Sequence, residues 1–560
     1  MAILTRREAT NGLTKLNWMA QIWPEDGRRK LRRRFDKHAA TLLPLVIDVA
    51  VESGDPIGRI AAEWLADHPD AELASRLAGQ IPYPTTSLRE LAAEVELIRH
   101  RQANRFEQLS EEQLAETASY ANNLSVRLSD LGRHEEALAA IEEAVDIRRA
   151  LANARPDAFK PDLAGSLNNL SVNLSDLGRR EEALAAIEEA VALYRGLADA
   201  RPYAFQHNLA GSLNNLANRL SDLGRREEAL AAIEEAVDIR RALADARPDA
   251  FRPDLAGSLN DLSVRLYELG RHEEALAAIK EAVDIRRVLA DARPDAFRHD
   301  LAMSLNNLAN RLSNLGRREE ALAAIEEAVA FRRALADARP DAFRHDLAMS
   351  LNNLSVRLSD LGRREEARSA IEEAVALYRA LADARPDAFR HDLAGSLNNL
   401  ANHLSALGRR EEALATIEEA VALYRALADA RPDAFRHDLA GSLNNLSMRL
   451  SALGRRAEAL VAIEEAVALY RALADANPDA FRHGLAMSLG TYGYTLRGLG
   501  RHADAADRFG EGLQLLTPYL NRLPQAFAPL CTSLLQDHLQ SLRDAGREPD
   551  PELLSPIVQI

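Results

Sequence analysis

Apolar residues recur every three or four positions through most of this chain, which is the spacing of one face of an α-helix. Between residues 346 and 361 the stripe consists of Leu347, Leu351, Leu354, Leu358 and Leu361. Asp346 precedes the stripe and is a suitable N-cap, because a side-chain oxygen can accept from the first helical amides. Gly362 follows it and can end a helix in the left-handed conformation. The pattern predicts a first helix that begins at Asp346 and ends at Gly362.

A second amphipathic segment follows this glycine. Glu365 and Glu366 fall in its first turn, where the helix dipole favours negative charge. Its inner side carries Ala367, Ala370, Ile371, Ala374, Val375, Tyr378 and Leu381. The dipeptide Arg385-Pro386 ends it, because proline disfavours a helical residue before it. The two segments predict a helical hairpin, and neither helix can bury its apolar stripe without a neighbour.

The hairpin recurs at a constant interval of 46 residues. The glycine that ends each first helix marks the interval, at Gly132, Gly178, Gly224, Gly270, Gly316, Gly362, Gly408, Gly454 and Gly500. Gly546 continues the series. Nine hairpins in fixed register predict a solenoid in which each repeat completes the core of the next.

The two ends of the chain depart from this period. Residues 1–105 predict a helical N-terminal domain, with helical segments at 5–23, 24–52, 55–67, 70–80 and 86–108. Residues 106–525 hold the nine repeats, and residues 526–560 hold a degenerate half repeat that serves as a C-terminal cap. The predicted fold class is therefore all-α.

Several residues of each hairpin lie at the spacing of a known signature. They are Leu351, Leu354, Ser355, Leu358, Gly362, Ala367, Ile371 and Ala374 in one repeat. The repeat region resembles the tetratricopeptide repeat family on these residues, which implies a right-handed α-α superhelix with first helices on the concave wall. The motifs SLNNLA and G-R-x-E-E-A, with a long second helix, resemble the kinesin light chain type. The proline that closes a 34-residue repeat is absent, and Arg364 replaces the aromatic residue of the signature.

The N-terminal domain carries a looser resemblance. Residues 46–95 resemble the helical segment that precedes such repeats in actinobacterial signalling NTPases of the STAND class. No G-x-x-x-x-G-K-[ST] motif occurs in the sequence, so the NTPase module of that class is not expected within these residues. No zinc-protease, nucleophile-elbow or kinase motif occurs either. We therefore expect no enzymatic activity and no cofactor.

Composition and charge narrow the functional classes. The net charge is −15, which is opposite in sign to the basic footprint of a nucleic-acid-binding protein. No apolar run reaches the length of a membrane span, and the N-terminus lacks the apolar core of a signal peptide, so a soluble cytoplasmic protein is expected. Cys531 is the single cysteine, which excludes an intramolecular disulfide, and we interpret it as a buried structural thiol.

Two basic features each allow two interpretations. In the segment from Gly27 to His38, the seven residues 28–34 hold six positive charges. Such a cluster suits nucleic acid or an anionic membrane, but more often marks a solvated or protein-docking helix face. A histidine recurs before the leucine stripe of most repeats, at His207, His299, His345, His391, His437 and His483. We interpret this column as a solvated edge, with a basic rail for an acidic partner as the alternative. Its expected spacing of about 10 Å is too wide for two imidazoles to share zinc.

Asparagines dominate the polar side of the first helices. At 100° per residue they share an arc opposite the buried leucines, and the resemblance places that arc in the concave groove. A carboxamide both donates and accepts, which suits the backbone of an extended peptide. The candidate groove residues are Asn168, Asn169, Asn214, Asn215, Asn218, Asn260, Asn306, Asn307, Asn310, Asn352, Asn353, Asn398, Asn399, Asn402, Asn444 and Asn445. The alternative for the paired asparagines is a hydrogen bond to the neighbouring repeat that only fixes register.

The sequence as a whole predicts a non-catalytic scaffold that binds a protein or peptide partner in this groove. By the STAND resemblance, it is expected to be the sensor arm of a bacterial signalling or defence system. The alternative is a regulatory or self-assembling subunit that docks a separate effector through its N-terminal domain, with the basic segment as the contact.

Overall fold

The computed structural model describes residues 6–53, 56–82, 85, 87–105, 109–520 and 524–550. All regular secondary structure in these residues is α-helical, so the predicted all-α class is confirmed. The chain divides into two compact units, Met1–Phe343 and Arg344–Ile560. No helix in the described ranges combines the length and the apolar character that a membrane span requires.

The first unit begins with five helices that precede the repeats. They are α1 (Arg6–Ile22), α2 (Pro24–Ser53), α3 (Ile57–Asp67), α4 (Ala71–Ala78) and α5 (Arg89–Ala103). Each coincides with one of the five predicted segments to within a few residues. Their shared core includes the fully buried side chains of Leu31, Phe35, Leu43, Leu65 and Leu91. The domain boundary at residue 105 remains a prediction.

Helical hairpins make up the rest of the first unit. Their helices are α6 (Glu111–Asp130), α7 (His134–Ala154), α8 (Pro156–Asp176), α9 (Arg180–Ala200), α10 (Pro202–Asp222), α11 (Arg226–Ala246), α12 (Pro248–Glu268), α13 (His272–Ala292), α14 (Pro294–Asn314) and α15 (Arg318–Ala338). The even-numbered members are first helices, and the odd-numbered members are second helices.

The second unit continues the same alternation. Its helices are α16 (Pro340–Asp360), within which the unit boundary falls, α17 (Arg364–Ala384), α18 (Pro386–Ala406), α19 (Arg410–Ala430), α20 (Pro432–Ala452), α21 (Arg456–Ala476), α22 (Pro478–Gly498), α23 (His502–Leu520) and α24 (Pro524–Asp544). Cys531 in α24 is 2% exposed and lies in an apolar cluster, so its predicted burial is confirmed. Burial raises the pKa of this thiol.

The first helices begin earlier than the leucine stripe indicates. The prediction that Asp346 caps a first helix is wrong, because α16 begins at Pro340. In α12 a single non-helical residue, Arg247, separates the helix from α11. Pro248 then occupies the first helical position, where its missing N–H has no intrahelical partner to lose. The Arg247 guanidinium lies 4.8 Å from the centre of the Phe251 ring, and this contact fixes the junction.

Glycine ends each first helix as the sequence predicts. Gly224 has φ +73°, a left-handed conformation. Its N–H donates to Ser221 O at 2.8 Å, and the N–H of Arg225 donates to Leu220 O at 2.9 Å. These two bonds form the Schellman motif, which satisfies carbonyls that the helix end leaves open. The Arg225 guanidinium then reaches Glu228 in the next helix at 2.6 Å.

Stacking buries the apolar stripes of both helices. Leu213 and Leu220 of α10 and Ile233 of α11 are buried, and each such side chain contributes about 1.5–3 kcal/mol relative to exposure. Ala217 and Ala236 are fully buried where helices approach closely. Side chains from several successive hairpins, between Val145 and Ala278, share one buried cluster, so these hairpins complete one another's core.

Two glycines in neighbouring repeats should respond in opposite ways to alanine. Neither Gly224 nor Gly196 has an atom within 4 Å of an added Cβ, so only the backbone conformation differs. Gly224→Ala places a Cβ in the left-handed region and should destabilise the protein by about 1–2 kcal/mol. Gly196→Ala lies within α9 and should stabilise it by about 0.5–1 kcal/mol.

Urea midpoints of the full-length variants measure both effects. The two substitutions share the same added methyl group, so each serves as the control of the other. Equal shifts in one direction would contradict the assignment of Gly224 to a required left-handed position.

Candidate partner-binding face

The polar side of each first helix consists of six positions, which we call the polar face. In α10 they are Gly211, Asn214, Asn215, Asn218, Ser221 and Asp222. All six are at least partly exposed, whereas Leu213 and Leu220 of the same helix are buried. The face is therefore small and polar, as the helical arc predicts.

The paired asparagines of this face are bonded between neighbouring repeats. The second asparagine of each pair donates from Nδ2 to Oδ1 of the first asparagine in the preceding repeat. In the first unit these bonds are Asn169 to Asn122 (3.1 Å), Asn215 to Asn168 (3.4 Å) and Asn307 to Asn260 (2.9 Å). In the second unit they are Asn399 to Asn352 (3.0 Å) and Asn445 to Asn398 (3.3 Å). We call this series the asparagine ladder.

A serine forms a second hydrogen bond between the repeats that the asparagine ladder joins. Asn398 Nδ2 donates to Ser442 Oγ in the following repeat at 2.7 Å, and Asn168 donates to Ser212 Oγ at 2.8 Å. Both serines are almost completely buried. The first asparagine thus both accepts from and donates to the following repeat. These bonds fix the register of adjacent first helices, which is the structural role that the sequence left open for the pair. Contact of the paired asparagines with a partner stays a prediction.

The third asparagine position of the face is different. It holds Val172, Asn218, Val264, Asn310, Val356, Asn402 and Met448. Asn402 Oδ1 accepts from Arg449 Nη2 at 2.7 Å. No residue of the described chain hydrogen-bonds the side chain of Asn218 or Asn310, although both are partly buried. Their carboxamides are thus available to a ligand.

Arginines beneath the polar face escaped the sequence prediction. Arg286 and Arg332 of the second helices are 5% and 1% exposed. Arg286 Nη1 donates to the carbonyl oxygen of Asp300 at 3.0 Å and to Ser304, while burial lowers its pKa. The signal was present in the sequence, because this position holds either arginine or tyrosine in every one of these repeats. It reads Arg148, Tyr194, Arg240, Arg286, Arg332, Tyr378, Tyr424 and Tyr470.

One repeat carries a carboxylate in the ladder. Asp261 replaces the second asparagine and accepts from Asn214 Nδ2. Burial raises the pKa of Asp261. Arg240 Nη1 lies 3.3 Å from Asn214 Oδ1 and donates to the Asp254 carbonyl oxygen at 3.0 Å. The carboxylate and the guanidinium therefore share Asn214 as a neutral bridge.

A cavity of about 490 Å³ lies where the N-terminal helices meet α6. Its lining includes Glu96, Arg99, Asn123 and Arg127. Arg99 Nη1 donates to both carboxylate oxygens of Glu96 at 3.0 Å, and its guanidinium stacks on the Tyr120 ring at 4.3 Å. Burial raises the pKa of Glu96. The polar face thus begins, in the first unit, beside a cavity lined by the ion pair of Glu96 and Arg99.

The histidine column is not a run of uncompensated positive charge. In the second unit, His345 Nε2 lies 3.4 Å from Asp392 Oδ2, and His391 Nε2 lies 3.4 Å from Asp438 Oδ2. Each imidazole also approaches the aspartate that follows it, at 3.7 Å for Asp346. Histidines and aspartates therefore alternate along the column and link adjacent repeats. This arrangement differs from the basic rail, while the side chains of His345 and His391 remain about half exposed, as expected of a solvated edge.

These contacts shift the pKa values of the column. Hydrogen bonds with Asp346 and Asp392 raise the pKa of His345 to about 9. Hydrogen bonds with Asp392 and Asp438 raise the pKa of His391 to about 9 as well. Burial opposes ionisation of Asp392, but its hydrogen bonds with the two histidines lower its pKa to about 2. The two histidines and Asp392 are therefore all charged at neutral pH.

Most of the basic N-terminal segment is neutralised within its own domain. Arg28 pairs with Glu63 at 2.5 Å, and Lys30 pairs with Asp26 at 3.0 Å. Arg29 also pairs with Asp26, and Arg32 pairs with Asp67. Four of the six predicted cations thus have a carboxylate partner, which favours a helix face over a site for nucleic acid or an anionic membrane.

The repeats match a known family model. The model of the tetratricopeptide repeat matches residues 117–157, 163–198, 209–248, 255–295, 301–340, 347–386, 393–432 and 439–479. Together these segments exceed half of the chain, and they confirm the resemblance predicted from the leucine and glycine spacing. The hairpin of α22 and α23 lies beyond them. A comparison with curated proteins found no match.

Solved structures with similar chains include three of interest. BtubC (BKLC) from P. vanneervenii is 21% identical, with 44% of this chain and 92% of that chain covered and a TM-score of 0.37. A putative kinesin light chain with nearly identical TPR-like repeats from Podosopora anserina is 22% identical, with 40% and 98% covered and a TM-score of 0.31. A STAND protein with a tetratricopeptide repeat sensor from Pyrococcus horikoshii is 14% identical, with 85% and 74% covered and a TM-score of 0.42. At these scores the fold assignment rests on the helices and the family model alone.

The ladder makes a testable distinction between two asparagines of α10. Asn214 accepts from Ser258 Oγ at 2.5 Å and donates to Asp261, whereas Asn218 has no such bond. Asn214→Ala leaves partly buried polar groups unpaired and should lower the free energy of local opening by about 1–3 kcal/mol. Hydrogen exchange of α10 and α12 amides measures this opening. Asn218→Ala is the matched control and should change it by less than about 0.5 kcal/mol.

The histidine column should make stability depend on pH. The pKa values of His345 and His391 rise from 6.5 to about 9 on folding, so their stabilisation is complete below pH 6.5 and is lost as the pH rises through about 9. The pKa of Asp392 falls from 3.8 to about 2 on folding. Its contribution to stability is therefore complete above pH 3.8 and is lost as the pH falls through about 2.

Thermal unfolding of the wild type and of a His345→Gln/His391→Gln variant tests this dependence. The thermal midpoint of the wild type should exceed that of the variant by about 1–3 °C near pH 6, as expected for half-exposed ion pairs. The difference should shrink as the pH rises through about 9. A difference that grows with pH over this range would refute the assignment of charged imidazoles.

Proposed function

Because this chain belongs to the tetratricopeptide repeat family, we propose that it is a non-catalytic scaffold that binds a protein or peptide partner on the concave side of its repeats. Repeats of this family indicate a protein-interaction scaffold. The polar face of the first helices is the contact surface in this proposal, and the asparagines predicted from the sequence are its candidate residues.

The observation that carries the proposal is the open third position of the polar face. Asn218 and Asn310 present carboxamides that no described residue occupies. A carboxamide can pair with both the N–H and the C=O of an extended backbone. Val172 and Met448 offer exposed apolar contacts at the same position in other repeats. The face thus suits a polypeptide held by main-chain hydrogen bonds with few side-chain anchors.

The asparagine ladder supports this function indirectly. It bonds adjacent first helices through groups that are themselves partly exposed, for example Asn215 to Asn168. The open carboxamides are therefore carried on helices whose register is already fixed, so little ordering is needed when a partner binds. Affinity then depends on the third position more than on the paired asparagines.

We also propose a role for the scaffold as a sensor or docking arm of a bacterial signalling or defence system, in the cytoplasm. The support is the resemblance of residues 46–95 to the segment that precedes such repeats in STAND proteins. On this proposal, a nucleotide-hydrolysing module acts with the repeats, and the repeats recognise its trigger.

A second candidate function is docking through the N-terminal helices. Trp18, Ile22 and Trp23 are exposed, and the two indole rings meet edge to face at 6.4 Å between centroids. Exposed tryptophans are uncommon outside interaction surfaces. An effector that binds this patch would use the repeats only as a rigid extension.

Affinity capture with crosslinking, from the native cell and with the full chain as bait, separates the two candidates. Asn218→Ala/Asn310→Ala should reduce recovery of the partner about tenfold or more, because two or more hydrogen bonds are lost. Arg149→Gln alters an exposed ion pair with Glu189 on the second helices and is the matched control.

The opposite outcome favours the N-terminal candidate. Trp18→Ser/Trp23→Ser should leave recovery unchanged if the polar face is the contact. Loss of the partner in the tryptophan variant, with full recovery in the asparagine variant, would replace the groove proposal by the docking proposal.

A further inference from the structure

The asparagine ladder stops abruptly inside the second unit. The segment at residues 442–446 reads SLNNL in α20, whereas the equivalent segment at 488–492 reads SLGTY in α22. Gly490 and Thr491 therefore replace the asparagine pair. Thr491 Oγ1 turns back to its own helix and donates to the Met487 carbonyl oxygen at 3.3 Å. The donor that continues the ladder in earlier repeats is absent from this described helix.

The last acceptor of the ladder is left open as a result. Oδ1 of Asn398 accepts from Asn445 at 3.3 Å, as the ladder requires. Oδ1 of Asn444 holds the equivalent place one repeat later, is buried, and accepts from no residue of the described chain. An acceptor that is shielded from water without a donor is unfavourable, so a donor from outside the chain gains by reaching it.

A cavity of about 300 Å³ adjoins this acceptor. Asp438, Asn444, Tyr470, Met487 and Ser488 contribute to its lining. Gly484, which also lines it, stands where the two preceding repeats have Asp392 and Asp438. A Cβ at Gly484 would lie 2.6 Å from the Tyr470 ring, so the ring packs directly on the glycine. The ninth repeat thus lacks both the ladder donor and the aspartate of the column.

The charges around the cavity limit what it can bind. Asp438 is the lining carboxylate, and it already lies 3.4 Å from His391 Nε2 and 3.2 Å from His437 Nε2. Asp438 therefore does not require a cation from a ligand. Asn444 Oδ1 requires a donor, which a carboxylate ligand cannot supply. The hydroxyls of Tyr470 and Ser488 offer both donor and acceptor capacity. A neutral group that carries N–H and C=O together matches this lining.

We propose that this cavity binds a primary carboxamide, which donates an N–H to Asn444 Oδ1 and so takes the place of the missing ladder asparagine. Its source rests on the proposed function, and is an asparagine or glutamine side chain of the partner that lies on the polar face. The cavity would set the register of that partner, because it differs from the ladder between earlier repeats of the second unit.

The Met487 methyl group offers a direct probe of the cavity. Full-length protein labelled with ¹³C at the methionine methyl groups is titrated with propionamide, a minimal primary carboxamide. The Met487 resonance should shift saturably, with a dissociation constant on the order of millimolar, as expected for a fragment of this size. Met303, in the first unit, should not shift. N,N-dimethylpropionamide lacks the N–H and should bind at least about tenfold more weakly.

A single substitution in α22 restores the ladder donor and tests the role of the open acceptor. In Thr491→Asn the new side-chain amide should donate to Asn444 Oδ1. This bond should weaken propionamide binding about tenfold or more and raise the thermal midpoint. Asn444→Leu should weaken binding to a similar degree by removing the acceptor. The methionine spectrum of each variant reports whether it is folded. Equal binding of both amides, undiminished binding in Thr491→Asn, or no saturable shift because only water occupies the cavity would each overturn the proposal.

The propionamide titration and the capture experiment can fail independently of each other. If propionamide binds as expected but Asn218→Ala/Asn310→Ala leaves partner recovery unchanged, the carboxamide site stands and the groove function falls. If the probe fails while the asparagine variant loses its partner, the groove function stands and the carboxamide site falls.

Discussion

A hairpin of two amphipathic helices cannot bury its own apolar stripe, and the architecture of each unit follows from that constraint. Leu213 and Ile233 become buried only because they belong to a cluster that spans successive hairpins. Each repeat therefore supplies part of the core of its neighbours. Apolar contacts of this kind are not directional, so they draw helices together without deciding their relative register.

Polar contacts between repeats supply the direction that the core lacks. The asparagine ladder bonds first helices, and the histidine and aspartate column links their N-terminal halves in the second unit. Exposed ion pairs such as Arg195 with Glu235, at 2.7 Å, join consecutive second helices. Each exposed pair contributes little on its own. Because all three series recur with the repeat, a register slip would break many of them together.

Sequence reasoning succeeded where a local pattern carried the information. The leucine spacing identified every hairpin, and the glycine with positive φ marked the end of each first helix. The start of the first helices was misplaced by six residues, from Pro340 to Asp346, because Pro-Asp-Ala-Phe reads as a connection in isolation. Here a proline at the first helical position and a cation on a phenylalanine ring turn it into helix.

The candidate face was harder to predict because its chemistry depends on distances between repeats. The arc grouped the asparagines on one side of each first helix, but it did not show that Asn260 and Asn306 are buried. Nor did it show that Asn399 donates to Asn352 while Asn218 remains open. The buried Arg286 and Arg332 were missed because arginine is among the residue types that are least often fully buried. Only comparison of the same position across repeats, where either arginine or tyrosine is found, indicates that the side chain is enclosed.

The one-residue junction between repeats bears on how such a chain changes length during evolution. Arg247 and Arg293 occupy the same place, between a helix ending in Ala-Asp-Ala and one starting with Pro-Asp-Ala-Phe. Unequal recombination between two such points removes or inserts a block of 46 residues and regenerates an identical junction. The helix boundaries on both sides of the crossover are then reproduced. The gene can therefore adjust the number of repeats in whole steps without passing through a misfolded intermediate.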